Sequence, residues 1–138
     1  MNEQQLLFDR VGFTTRVLGL LAQLTRDKPV TDRTLRAWAS GAKTPRNSYY
    51  IETAKQLDQF LTDKAQHVIE NHYSARLVLP VYASDQDYYE RTGEIMPIEV
   101  YQALVQRIII LAGENLTVVF DDGDEWNDFV ALSVGFAL

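Results

Sequence analysis

The chain has 138 residues, 46% of them hydrophobic and 23% charged, with no cysteine and a formal charge of −6. That length suffices for one domain with a real core or for two small lobes, and the composition is that of a globular chain rather than a disordered or low-complexity one. The missing thiol excludes disulfides, thiolate metal sites and cysteine nucleophiles; the polar start MNEQQLLFDR does not have the form of a signal peptide, and the longest strongly apolar run, Ile108 to Ala112, is too short to span a bilayer, so a cytoplasmic protein without membrane contact is expected.

A first helix is expected over Glu3 to Arg10, ahead of Gly12. A second starts near Thr14 or Thr15, with Phe13, Val17, Leu20, Leu21 and Leu24 on one face. Lys28-Pro29 stops it, because the residue before a proline is pushed out of the α region. Thr31 offers an N-cap hydroxyl for a third helix, and Asp32 follows in the first turn, where negative charge suits the helix dipole. Leu35, Trp38 and Ala39 mark its buried face, and Gly41 is placed to end it in a left-handed conformation. Lys43-Thr44-Pro45 makes a turn, and Asn47 or Ser48 caps a long fourth helix reaching about Tyr73. In it Ile51, Ala54, Leu57, Leu61, Ala65 and Val68 recur at spacings of three and four, and its length would be on the order of 35 Å.

The pattern then changes. Leu77 to Tyr82 is extended, Ser84-Asp85-Gln86-Asp87 resembles a capping box opening a short helix closed by Gly93, and Pro97 starts another carrying Val100, Tyr101, Leu104, Ile108 and Leu111 to Gly113. Leu116 to Phe120 and Phe129 to Phe136 read as the strands of a hairpin turned at Asp121 to Asp124, with Trp126 packed on it. The expected fold is mainly α: an N-terminal helix-turn-helix lobe with the long helix over residues 1–72, and a smaller C-terminal α lobe with a β hairpin over 73–138.

Charge divides along the same line. Residues 1–66 hold ten Lys and Arg against seven Asp and Glu, a net of +3, whereas residues 67–138 hold three against twelve, a net of −9. Between Arg26 and Arg46 six basic residues face two acidic ones, a local +4. Binding follows the local potential, so an acidic chain with segregated signs can still engage a polyanion.

If Leu35, Trp38 and Ala39 face inward, then Arg33, Arg36, Ala37 and Ser40 share the opposite stripe. Two arginines beside two small residues suit the major groove, where arginine donates twice to guanine O6 and N7. Thr31, Asp32 and Thr34 sit at the end of the helix that meets base edges in such motifs. Lys28, Lys43 and Arg46 flank it as phosphate contacts, with Arg16 and Arg26 as weaker candidates.

The segment resembles the Cro/repressor-type helix-turn-helix superfamily through Trp38-Ala39-Ser40-Gly41 followed by Pro45. With Leu79-Pro80-Val81-Tyr82, Tyr88-Tyr89 and Tyr101-Gln102-Ala103-Leu104 it is similar to a small bacterial family of YdiL-type proteins and phage regulators associated with anti-CRISPR operons, over about residues 10–112. Ala37, where the family has a more polar residue, and the acidic stretch from Asp121 depart from that pattern. The resemblance implies a homodimeric transcriptional repressor, acting near its own promoter, that binds an inverted repeat in double-stranded DNA. Dimerisation would fall to the C-terminal lobe, with Tyr82, Tyr88, Tyr89 and Tyr101 as interface candidates.

Other constellations are weaker. His67, Glu70 and His72 lack the i, i+4 histidine spacing of a helical zinc site, and Asp121, Asp122, Asp124 and Glu125 lack the alternation and late glutamate of a calcium loop. The sequon at Asn115 has no secretion signal to serve. No Ser-His-Asp signature or phosphate-cradling glycine loop is present, so neither an enzyme nor a cofactor is expected. The alternatives are a protein-interaction module, antitoxin- or adaptor-like, using the acidic lobe, and a regulator whose C-terminal lobe holds an effector of unknown chemistry.

Overall fold

A computed structural model describes residues 2–25, 28–71, 76–114 and 116–121. They form a mainly helical chain with one small sheet: α1 (Glu3–Val11), α2 (Thr15–Leu24), α3 (Asp32–Ser40), α4 (Tyr49–Glu70), β1 (Arg76–Pro80), α5 (Asp85–Thr92), α6 (Ile98–Ala112) and β2 (Thr117–Asp121). The chain divides into two compact units, Met1–Phe60 and Leu61–Ala137, with the division inside α4. Among the described residues no helix is long and apolar enough to cross a membrane.

In the first unit each helix begins where a side chain can satisfy a free backbone N–H. Asn2 Oδ1 accepts from Gln5 N at 2.9 Å, Thr14 Oγ1 from Val17 N at 3.3 Å and Thr31 Oγ1 from Thr34 N at 3.2 Å. Phe8, Phe13, Leu18, Leu21 and Tyr50 are buried to within about a per cent and fill the centre. The inward face of α2 differs from the expected one. Val17 and Leu21 are buried as anticipated, but Leu18 is fully buried, Leu20 is only half-buried and Leu24 is 44% exposed. The cause is α3: a Cβ on Gly19 would lie 3.3 Å from Leu35 Cδ1, so α3 packs over that flank of α2 and draws the buried arc towards it.

In the second unit β1 and β2 run parallel, with Arg76 opposite Thr117 and Pro80 opposite Asp121. Asp121 therefore closes a strand. The strand expected at Phe129 to Phe136, the rest of its turn and Trp126 lie outside the described residues, as does the sequon's Asn115. Parallel partners share a face, so Leu77 and Leu79 stand with Val118 and Phe120. The β1 pair is buried while Phe120 is 50% exposed, so the core lies under β1 and thins towards β2. In α6, Val100, Tyr101, Leu104 and Ile108 face that core, whereas Leu111 is 50% exposed and Ala112 is buried in its stead. The last turn is apolar on every side, and periodicity there cannot select a face.

Three tyrosines hold this unit together. The rings of Tyr82, Tyr88 and Tyr101 lie 4.7 to 5.8 Å apart, and the Tyr101 hydroxyl donates to Pro80 O at 2.6 Å. Arg91 lies 4.7 Å over Tyr82, donates to Val81 O at 2.6 Å and pairs with Asp87 at 3.6 Å. Ser84 Oγ caps α5 by accepting from Asp87 N at 3.1 Å, Asp87 accepts from Ala83 N, one residue before the amide a capping box would use, and Asp85 accepts from Ile98 N to start α6.

Burial raises the pKa of Tyr101, helped by the neighbouring phenols Tyr82 and Tyr88 and opposed by Arg91. An unfolded chain ionises this phenol near its ordinary 10.0 while the folded chain keeps it neutral, so its contribution is complete below that pH and is lost as pH rises past it. Tyr101→Phe is expected to cost about 1–2 kcal/mol at neutral pH by orphaning the Pro80 carbonyl. It should also soften the alkaline loss of stability. Urea midpoints at neutral pH and above about pH 10 check both effects, and equal slopes for the two proteins would contradict the second.

Candidate nucleic-acid interface

The exposed side of α3 carries the stripe expected from its periodicity. Arg33, Arg36 and Ser40 are exposed and Ala37 is half-buried, while Leu35 is 6% exposed on the opposite side. Trp38 and Ala39 are half-buried rather than buried, because Trp38 lies along Tyr50 of α4, ring centroids 4.9 Å apart, at the edge of the core. Tyr50 in turn shares a 3.3 Å hydrogen bond with Thr25 Oγ1 at the end of α2. One aromatic pair thus fixes the roll of α3 against both of its neighbours in the chain.

Several polar residues on α3 are engaged locally. The Thr31 hydroxyl donates to Thr34 Oγ1 at 3.1 Å while it caps the helix. Ser40 Oγ donates to Ala37 O at 3.2 Å and accepts from Ala42 N at 3.4 Å. Asp32 and Arg36, one turn apart, stand 3.9 Å from each other with side chains 80% and 74% exposed. Arg33 extends without an ion pair among the described residues, as do Lys28, Lys43 and Arg46.

The flanking cations fall on both sides of the helix. One open groove of about 620 Å³ runs between α2 and α3 and is lined by Arg16, Gly19, Lys28, Asp32 and Leu35 among others. A second of about 640 Å³ lies across α3 and is lined by Lys28, Thr31, Thr34, Trp38, Lys43 and Arg46 with their neighbours. A helix with two arginines on its outer stripe, set between cation-edged grooves, can place donors on base edges while phosphates approach either flank. Arg26 lies outside the described residues.

The part missed by sequence reasoning is what holds the turn behind this helix. Gln4 Nε2 donates to Trp38 O at 2.8 Å and to Lys43 O at 2.7 Å, and its Oε1 accepts from Thr44 Oγ1 at 2.8 Å. Asn2 Nδ2 donates to Gly41 O at 2.8 Å. Asn2 thus caps α1 and also reaches a carbonyl thirty-nine residues away. Gly41 has φ +80°, and a Cβ there would collide with the Asn2 side-chain amide. Glycine is thus required twice, by backbone conformation and by proximity.

The remaining candidates are dispersed. Tyr88 and Tyr101 lie within the core of the second unit at 0% and 3% exposure, Tyr82 is half-buried among them, and Tyr89 stands apart at 48%. His67 Nδ1 lies 3.1 Å from Asn71 Nδ2, which donates to the His67 carbonyl at 2.8 Å. No metal-holding group of acidic, histidine or cysteine side chains occurs among the described residues. His72 and the acidic positions from Asp122 onwards lie outside them.

Gly41→Ala is expected to destabilise the first unit by about 1–3 kcal/mol through the left-handed φ and the clash together. In an Asn2→Gly background the penalty should shrink to the backbone part alone; chemical denaturation of the four proteins of that cycle reads the coupling, and strict additivity would refute the proximity argument. No protein-family model matches the chain, and no curated protein and no solved structure matches it either.

Proposed function

We propose that the chain is a sequence-specific DNA-binding transcriptional regulator in which α3 enters the major groove. The observation that carries this reading is the outer stripe of exposed Arg33, Arg36 and Ser40 with half-buried Ala37 on a helix held from behind by α1 and α2. A reading helix must keep its position under load, and the Gln4 and Asn2 bonds give α3 that support independently of its own packing. Thr31 and Thr34 use their hydroxyls within the helix, so Arg33 and Arg36 carry base recognition, with Asp32 beside them. Lys28, Lys43 and Arg46 neutralise phosphates on the flanks.

The regulator acts as a homodimer on an inverted repeat, its two reading helices about 34 Å apart across one DNA turn. Repression by occupying a promoter, its own included, needs nothing more than that binding. The second unit supplies the contact between copies: Ile109, Ile110 and Leu111 at the end of α6 are 43%, 77% and 50% exposed, more apolar surface than one helical turn ordinarily leaves uncovered. The negative charge of residues 67–138, net −9, keeps that unit from competing for phosphates. The same exposed turn favours a second reading, a protein-interaction module in which the acidic unit captures another chain and α3 has no duplex partner.

Selection from a random duplex pool tests the choice. The wild-type chain is expected to enrich an inverted repeat, and Arg33→Ala/Arg36→Ala to lose it. Each arginine alone should contribute about 1–3 kcal/mol of specific affinity. Absence of enrichment from folded protein favours the interaction module. Sedimentation at micromolar concentration should give twice the chain mass, falling to one with Ile110→Glu; a monomeric wild type removes the dimer from the proposal.

A further inference from the structure

On the reading of α3 as the groove-entering helix, we infer that Asp32 and Arg36 act as one unit that recognises a single C·G base pair, with Asp32 specifying the cytosine. The two side chains stand 3.9 Å apart, 80% and 74% exposed, beside the stripe that faces outward. Their attraction does little for the fold, since exposed pairs of this kind add only a fraction of a kcal/mol and Thr31 already caps the helix. What the pair does is present an acceptor and a donor fork side by side.

An anionic side chain on a DNA-facing surface opposes binding unless it meets a donor. It repels phosphates, and most base-edge atoms in the major groove are acceptors: guanine N7 and O6, adenine N7 and thymine O4. Two donors exist, the amino groups of adenine and cytosine. Adenine N6 sits beside the N7 acceptor, which repels the second carboxylate oxygen; cytosine N4 sits beside a C–H. Cytosine is therefore the base that Asp32 accepts from at least cost. The edge of a G·C pair runs N7, O6, then N4, two acceptors followed by one donor. A guanidinium on N7 and O6 with a carboxylate on N4 complements that order, and Asp32 draws the Arg36 fork to its side before the duplex arrives. Arg33, which has no ion pair among the described residues, keeps the freedom to read another pair or to reach a phosphate.

Two kinds of prediction separate this inference from the function on which it rests. Duplex selection with the wild-type chain should fix a C·G pair at one position of each half-site. Asp32→Ala should lower discrimination at that pair roughly tenfold and raise affinity for random duplex, since an anion has left the surface. The decisive arm replaces that cytosine by 2-pyrimidinone, which lacks the exocyclic amine. The wild type should lose roughly tenfold in affinity, and Asp32→Ala should lose nothing further. Asp32→Asn, which keeps an acceptor oxygen and the side-chain size, guards against a folding defect and should retain part of the dependence on the amine. Equal losses for wild type and Asp32→Ala would overturn the inference while leaving DNA recognition intact. A wild-type chain that enriches no sequence would overturn both.

Discussion

The amide of Gln4 is the point on which the first unit turns. Its nitrogen bridges the carbonyls of Trp38 and Lys43, and its oxygen receives the Thr44 hydroxyl. Those carbonyls belong to the end of α3 and the turn after it, where the last carbonyls of a helix lack i+4 partners; Trp38 O also accepts from the capping Gly41 N at 3.1 Å. A side chain from α1 fills that need, and the direction in which α3 leaves the core is fixed by a residue near the chain's beginning. Packing contributes the roll of the helix, through Leu35 over Gly19 and Trp38 along Tyr50; the Gln4 and Asn2 amides contribute its tether.

The second unit is built on a different economy. Among the described residues its sheet has two strands, too small to stand without a covering layer. The tyrosine cluster and α6 supply that cover, and the hydroxyl of Tyr101 ties the helix to the last residue of β1. Arg91 closes the outer side by stacking on Tyr82 while holding Val81 O and Asp87. Tyr82, Tyr88 and Tyr101 act first as its core, and the apolar surface it exposes includes Val81, Ile95, the end of α6 and Phe120.

What could be read from the sequence was whatever depends on near neighbours. Thr31 and Ser84 cap helices as their sequence context implied, Gly41 and Gly93 end them in left-handed conformations, and the outer stripe of α3 lies opposite Leu35 as its periodicity implied. The mainly α fold was legible for the same reason. What could not be read depends on partners far along the chain. Nothing local distinguishes Leu18 from Leu24 until α3 lies across Gly19, and nothing in Gln4 announces a bond to Lys43. The pairing of β1 with β2 is of that kind too: both segments read as extended, but their register and parallel sense rest on the two helices between them.

That crossover has a consequence for the order in which the protein can be made. The bonds that seat α3 join residues within the first sixty, so they can close while the rest of the chain is still being synthesised. Arg76 must wait for Thr117, and Pro80 for Asp121, with α5 and α6 in place before the strands can meet. Such long-range pairing is slow to nucleate. A nascent chain therefore carries a net charge of +3 when residues 1–66 have been made, opposite in sign to the −6 of all 138 residues.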